Sequence, residues 1–175
     1  CIPTQNDPVR YGVRRVHVVT GNQPGAFASS YLPTFDEALR DLAALGPTFT
    51  RVADRASADV TVEHFDSGPG CAMGAGSYTP GTAVVRIDPV CTPGLLVQRA
   101  ALAHEIGHWL GMRHVCRYAG EARDCSPVGY GHAVMNPSLT YGDDAGPTLD
   151  SAYVGPVPSF QPTELDLAEF RRAHP

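Results

Sequence analysis

The chain of 175 residues is 43% hydrophobic, which predicts one globular domain with enough apolar side chains for a substantial core. Its net charge is −5 and all 13 basic residues are arginines dispersed along the chain, which disfavours nucleic acids and anionic membranes as partners. No apolar run approaches the roughly 20 residues of a transmembrane helix. The chain does not begin with methionine and has no apolar leader, so we expect a processed, secreted protein.

The first half of the chain alternates between strand-like and helix-like patterns. Residues 15–20 alternate apolar and polar side chains, which predicts a strand with Val16 and Val18 on one face. A Thr-x-x-Glu capping box at Thr34 predicts the start of a helix with an apolar stripe, and the Gly-Pro pair at Gly46 predicts its end. Further strands are predicted from their β-branched content at 48–53, 59–65 and 82–88.

The next predicted helix carries the candidate metal-binding and catalytic residues. It is expected to open at Thr92, an N-cap that is followed by proline. Residues 104–114 read His-Glu-x-x-His-x-x-Gly-x-x-His. His104 and His108 are four residues apart, so they lie on one face of a helix and can share one zinc ion. Glu105 can then reach a water molecule on the same metal.

A straight helix would carry the third histidine of this motif, His114, away from the other two. Gly111 can adopt the left-handed conformation that ends a helix and turns the chain back. His114 would then complete a site of three nitrogens and leave one zinc position open for water, as in catalytic sites. The alternative, an amphipathic helix with two incidental histidines, leaves Gly111 and His114 unexplained.

After this motif the chain loses its periodicity. Residues 115–162 are dominated by Gly, Pro, Ser, Asp and Tyr, and a loop of this length in a compact domain is usually functional. Asp143, Asp144 and Asp150 lack the ligand spacing of a calcium loop, which favours a solvated acidic loop over structural calcium. Residues 161–164 predict the start of a last helix.

Five cysteines stand at no zinc-finger spacing, and in an exported protein they predict disulfides. Cys71 with Cys91 and Cys116 with Cys125 form one of three connectivities open to these four residues. Cys1 is the odd cysteine. It suggests a lipid anchor to a bacterial envelope, with a thiol that blocks the open zinc position as a lower-ranked alternative.

The motif at 104–114 resembles the signature of the metzincin metallopeptidases. Residues 133–137, with Met135 at their centre, are similar in content and position to the methionine turn that this family carries beneath the zinc. The Met-x-Pro form ending at Pro137 is closest to the matrixin branch. Val115, directly after the third histidine, departs from the Ser or Thr of most matrixins, and the run that begins at Trp109 is similar to pappalysins.

This resemblance implies an α+β, zincin-like fold with a mixed twisted sheet of about five strands, two helices including the active-site helix, and an irregular C-terminal subdomain ending in a helix. It implies one catalytic domain over 1–175, with an N-terminal subdomain 1–111 and a C-terminal subdomain 112–175. Matrixins hold further structural zinc and calcium through His and Asp beside the edge strand. Only His64 and Asp66 are available here, so we expect those sites to be absent.

The implied activity is that of a monomeric zinc endopeptidase that hydrolyses protein or peptide substrates, with a pro-segment removed. One Zn²⁺ would be bound by the three histidines, and Glu105 would activate the zinc-bound water, with Gly111 and Met135 supporting the site. An extended substrate would pair with an edge strand at 75–79, although residues 67–81 are equally compatible with a surface loop. The expected substrate contacts are Ala75, Gly76, Ser77, Ala101, Pro137 and Tyr141.

Two other function classes remain open on the sequence. A non-catalytic zinc-binding or adhesion module of the same fold would keep the histidines but tolerate loss of Glu105. A metal hydrolase that acts on something other than peptides would use the same ligands.

Overall fold

The computed structural model describes residues 12–68, 74–77, 83–91, 95–114, 134–135 and 162–174, with the backbone alone for 95–97. These residues form a mixed sheet of five strands and three helices. In chain order the elements are β1 (Val13–Val18), α1 (Leu32–Leu42), β2 (Thr48–Arg51), β3 (Val60–His64), β4 (Gly74–Ser77), β5 (Ala83–Ile87), α2 (Leu95–Trp109) and α3 (Glu164–Ala173).

The strand order in the sheet is β2-β1-β3-β5-β4. The first four of these strands are parallel, while β4 runs antiparallel to β5 and lies at the edge of the sheet. The edge strand predicted at 75–79 is therefore confirmed for residues 75–77 and begins one residue earlier, while 78–79 lie outside the described residues. The surface-loop alternative is wrong for residues 74–77. The predicted fold class is confirmed at the level of a mixed α+β arrangement.

The core lies where α1 and α2 pack against each other and α2 packs against the sheet. Val16 and Val18 of β1 are buried on one face, as their alternation predicts. Each Val, Leu, Ile or Phe fully buried in this way stabilises the fold by about 1.5–3 kcal/mol. The largest buried side chains from the two helices are Phe35, Leu42, Leu102 and Ile106.

A buried ion pair also joins α1 to α2. The Arg99 guanidinium donates from Nε to Asp41 at 2.8 Å and from Nη1 to Glu37 at 2.8 Å. The Arg99 and Asp41 side chains are only 7% and 3% exposed. Because removing one partner of such a pair leaves an uncompensated buried charge, this contact fixes the packing of the two helices.

Two helix starts differ in how well the sequence predicts them. The prediction that a capping box at Thr34 starts the helix is wrong. The helix α1 begins at Leu32, and Thr34 is a buried residue inside it. Pro33 in the first turn presets a helical φ and needs no N–H partner, so the helix starts without a side-chain cap.

The expected last helix is confirmed, with Thr163 as its N-cap in a capping box with Asp166. Gly46, with φ of 124°, ends the first helical region after a 3₁₀ turn at Ala43–Leu45.

The loop after β5 is fixed by the buried carboxylate of Asp88. This group accepts hydrogen bonds from the Ser67 hydroxyl and from the backbone N–H groups of Ser67, Val90 and Cys91. The bond from the Ser67 hydroxyl and the three N–H bonds lower the pKa of Asp88 to about 2. The carboxylate thereby joins the loop after β5 to Ser67, which lies after β3.

Several sequence predictions fall on the rest of the chain. The N-cap at Thr92 and four of the five cysteines lie outside the described residues, so the disulfide pairings stay predictions. The long loop also lies outside them, apart from residues 134–135 and 162. No helix among the described residues is long and apolar enough to cross a membrane.

Candidate metal centre

The C-terminal end of α2 has the geometry that the motif predicts. Gly111 has φ of +83°, and its N–H donates to the His108 carbonyl at 2.9 Å. The N–H of Met112 donates to the Gly107 carbonyl at 3.0 Å. This pair of bonds is the Schellman motif, in which a left-handed residue closes a helix and redirects the chain. The predicted glycine bend is therefore confirmed.

The bend brings the three histidines of the motif together. The Nε2 atom of His114 lies 3.2 Å from that of His104 and 3.1 Å from that of His108. All three ligand atoms lie within 4.8 Å of one another. Four-coordinate zinc with Zn–N bonds of about 2.0–2.1 Å separates two ligand nitrogens by roughly 3.3 Å. The donor set therefore fits a zinc ion in both type and spacing.

Backbone carbonyls orient two of these imidazoles. Nδ1 of His104 donates to the Val134 carbonyl at 2.8 Å, and Nδ1 of His108 donates to the Met112 carbonyl at 3.0 Å. A carbonyl can only accept, so the proton is on Nδ1 and the Nε2 lone pair points into the cluster. Such outer hydrogen bonds fix the ring orientation and the tautomer that a metal requires.

The electrostatic environment also favours neutral imidazoles. Burial lowers the pKa of His104 to about 3, with a further contribution from the neighbouring His108. Burial lowers the pKa of His108 as well. At neutral pH both rings are therefore in the unprotonated form that binds a metal. Exposure increases from the buried His104 to the exposed His114, so the cluster opens to solvent on the side of His114.

Met135 lies beneath the helix that carries the motif. It is fully buried, and a side chain at Gly107 would overlap its sulfur. The backbone N–H groups of Val134 and Met135 donate to the buried carboxylate of Asp166 at 3.0 and 2.9 Å. Asp166 therefore holds the segment whose Val134 carbonyl orients His104. The sequence predicts the supporting role of Met135 but not those of Gly107 and Asp166.

The edge strand passes directly over the predicted catalytic carboxylate. Glu105 is 9% exposed, and a Cβ added at Gly74 would lie only 2.5 Å from its Oε1 atom. Glycine at position 74 is therefore what allows the strand and the carboxylate to approach so closely. The sequence alone does not predict this role of Gly74, because the need for a missing side chain depends on which residue packs against it.

The other predicted substrate contacts are distributed as follows. Ala75, Gly76 and Ser77 lie on β4, paired with Arg86, Val85 and Val84 of β5. Ala101 is buried in α2. Pro137 and Tyr141 lie outside the described residues. The substrate-binding role of all six residues stays a prediction.

Replacing Gly111 with alanine should weaken metal binding more than it weakens the fold. A Cβ there meets ordinary van der Waals contact, so the expected cost is the left-handed backbone, about 1–2 kcal/mol. Relief of that strain would move His114. Gly21→Ala is the matched control, since Gly21 has φ of +90° in open space far along the chain from the motif. Urea unfolding should show similar losses for both variants, and zinc titration should show a loss for Gly111→Ala alone.

No protein-family model matches the chain, and no curated protein matches it in sequence. Among solved structures, the chain is similar to one from the GM1-bound form of the ECX AB5 holotoxin, with a TM-score of 0.54 and 17% identity over 92% of this chain and 79% of that one. It is also similar to high choriolytic enzyme 1, a hatching-enzyme zinc protease from the medaka fish Oryzias latipes, with a TM-score of 0.51 and 13% identity over 91% and 87% of the two chains.

At these identities the likeness concerns the fold alone. The fold and the cluster define a mixed α+β chain, compatible with a zincin-like fold, with a three-histidine group that could hold a metal ion.

Proposed function

We propose that this chain is a zinc-dependent endopeptidase of the metzincin type, closest to a matrixin-like or pappalysin-like catalytic domain. The observation that carries the proposal is the convergence of three imidazole Nε2 atoms at zinc-compatible spacing. A carboxylate on the same helix, Glu105, lies beside them under an edge strand. A binding module would have no need of that carboxylate.

In this proposal each residue of the site has a separate role. His104, His108 and His114 hold the ion, which when bound supplies a Lewis acid and lowers the pKa of a water molecule toward ~7. Glu105 accepts a proton from the attacking water and later donates it to the departing amine. Met135 supports the site from beneath, and Gly111 sets the direction of the third ligand.

The substrate would be an extended protein segment. The free edge of β4 would add it to the sheet as a further strand through the backbone of Ala75, Gly76 and Ser77. The side chain after the scissile bond would enter a pocket between Ala101 and the segment from Pro137 to Tyr141. Small alanines on that wall favour medium or large apolar side chains.

The proposal extends to the setting of the domain. We propose a secreted, monomeric domain with subdomains 1–111 and 112–175, stabilised by disulfides.

The test is cleavage of casein or gelatin with and without a zinc chelator, after the mass at Cys1 has been checked. We expect proteolysis that the chelator abolishes and added zinc restores, while His108→Ala neither cleaves nor holds zinc. Zinc binding without cleavage of any protein substrate would favour the adhesion module. Zinc-dependent turnover of esters but not peptides would favour the other hydrolase class.

A further inference from the structure

Three side chains near the C-terminal end of α3 bond to the backbone of the bend that follows α2. Oε1 of Glu169 accepts from the Arg113 N–H at 2.7 Å. Nη2 of Arg172 donates to the Gly111 carbonyl at 3.4 Å, and Nε2 of His174 donates to the Leu110 carbonyl at 2.7 Å. Residues 110, 111 and 113 of the bend are thereby tied to α3 and to the residue that follows it.

Two of these bonds satisfy backbone carbonyls at the end of α2 that have no hydrogen-bond partner within that helix. The last carbonyls of a helix have no partner within it, and Leu110 and Gly111 are at that point of α2. His114 comes three residues after the left-handed glycine, so its position depends on backbone angles that no regular element fixes. Ordering each such residue costs about 1–2 kcal/mol. Hydrogen bonds that order these residues in advance reduce the free energy of ordering that metal binding must supply.

Of these three side chains, Glu169 bonds to the backbone closest in sequence to the third histidine. Its side chain is 14% exposed, and it pairs with Arg172, whose side chain is 43% exposed. The bond from the Arg113 N–H to this carboxylate is charge-assisted and stronger than one between neutral groups. Arg113 is directly followed by His114, so Glu169 acts one peptide unit away from the imidazole.

We propose that Glu169 is a positioning residue that holds His114 in place for the metal by accepting the Arg113 N–H. The inference deepens the proposed function, since it rests on the same three-histidine site. Glu169 touches neither metal nor substrate, and its effect is on the affinity for zinc rather than on a chemical step. Arg172 contributes by keeping the carboxylate aimed at the bend.

The test compares zinc affinity, by competition with a chromophoric chelator, in variants of α3. Glu169→Ala should weaken zinc binding about 10-fold, at the lower end of the 10–100-fold expected for outer partners of a metal site. Glu169→Gln should recover most of this, because its amide oxygen can still accept the Arg113 N–H. Glu164→Ala, which removes an exposed carboxylate from the same helix, should bind like the wild type. The visible spectrum of the Co²⁺-loaded proteins should change in Glu169→Ala alone.

Two outcomes of this comparison decide against the inference. Wild-type affinity in Glu169→Ala overturns it, as does equal weakening in the alanine and glutamine variants. If Glu169→Ala fails to fold by circular dichroism, Arg172→Ala must bind zinc more weakly than Arg171→Ala, its exposed neighbour, or the inference fails. A wild type that binds zinc without cleaving peptides removes the proposed function and leaves this comparison valid. A wild type that binds no zinc removes both.

Discussion

Replacing Glu105 with glutamine is expected to leave zinc binding intact and to lower kcat by about 10²–10⁴-fold. That is the range contributed by a positioned proton acceptor, and an amide cannot take the proton. Glutamine is the right replacement because Glu105 is 9% exposed and lies directly beneath Gly74, where a change of shape would displace the edge strand. The measurement is kcat on a fluorogenic peptide, together with the zinc content of the purified protein.

Glu164→Gln serves as the control for this change, since it alters the same functional group at an exposed position on α3. It should turn over like the wild type. Turnover by Glu105→Gln close to that of the wild type would refute the acid–base role. Loss of zinc from Glu105→Gln would show instead that the carboxylate supports the metal.

Replacing Asp166 with alanine is expected to lower the free energy of unfolding by about 3 kcal/mol and to weaken zinc binding. The carboxylate is 0% exposed and accepts from the N–H groups of Val134, Met135 and Thr163. Each buried donor left without a partner costs about 1–3 kcal/mol. Once the segment at 134–135 is released, the Val134 carbonyl no longer orients His104, so the first zinc ligand loses its fixed orientation.

Urea unfolding of the metal-free protein measures the first effect, and zinc titration measures the second. Asp36→Ala is the control, because Asp36 forms a solvent-exposed ion pair with Arg51 whose loss costs less than about 1 kcal/mol. An Asp166→Ala protein within 1 kcal/mol of the wild type would contradict this account, because roughly 1 kcal/mol is the least that a single unpaired buried donor costs.

The features that the sequence predicts well are those set by local spacing. Two histidines one helical turn apart share a face in any helix, and Gly111 can reverse the chain whatever surrounds it. The strands at 60–64 and 83–87 follow from β-branched runs and keep nearly the predicted bounds. The start of α1 was misplaced because Pro33 in the first turn outweighs the capping signal at Thr34.

The features that the sequence does not predict depend on which distant segments meet. From the local sequence, Asp166 is a helix-capping residue and Glu169 is a surface charge. Only the three-dimensional structure shows that they also accept hydrogen bonds from the backbone of Val134 and Arg113. Gly74 and Gly107 matter because of atoms that would collide with a side chain, and those atoms belong to Glu105 and Met135. No local pattern carries that information.

The dependence of the bend on α3 has a consequence for the order of events during translation. A nascent chain that has emerged through residue 114 already contains every histidine of the cluster. The partners that tie the bend and the methionine segment, Glu169, Arg172, His174 and Asp166, leave the ribosome some fifty residues later. Tight capture of a metal ion would therefore be delayed until synthesis has passed this last helix.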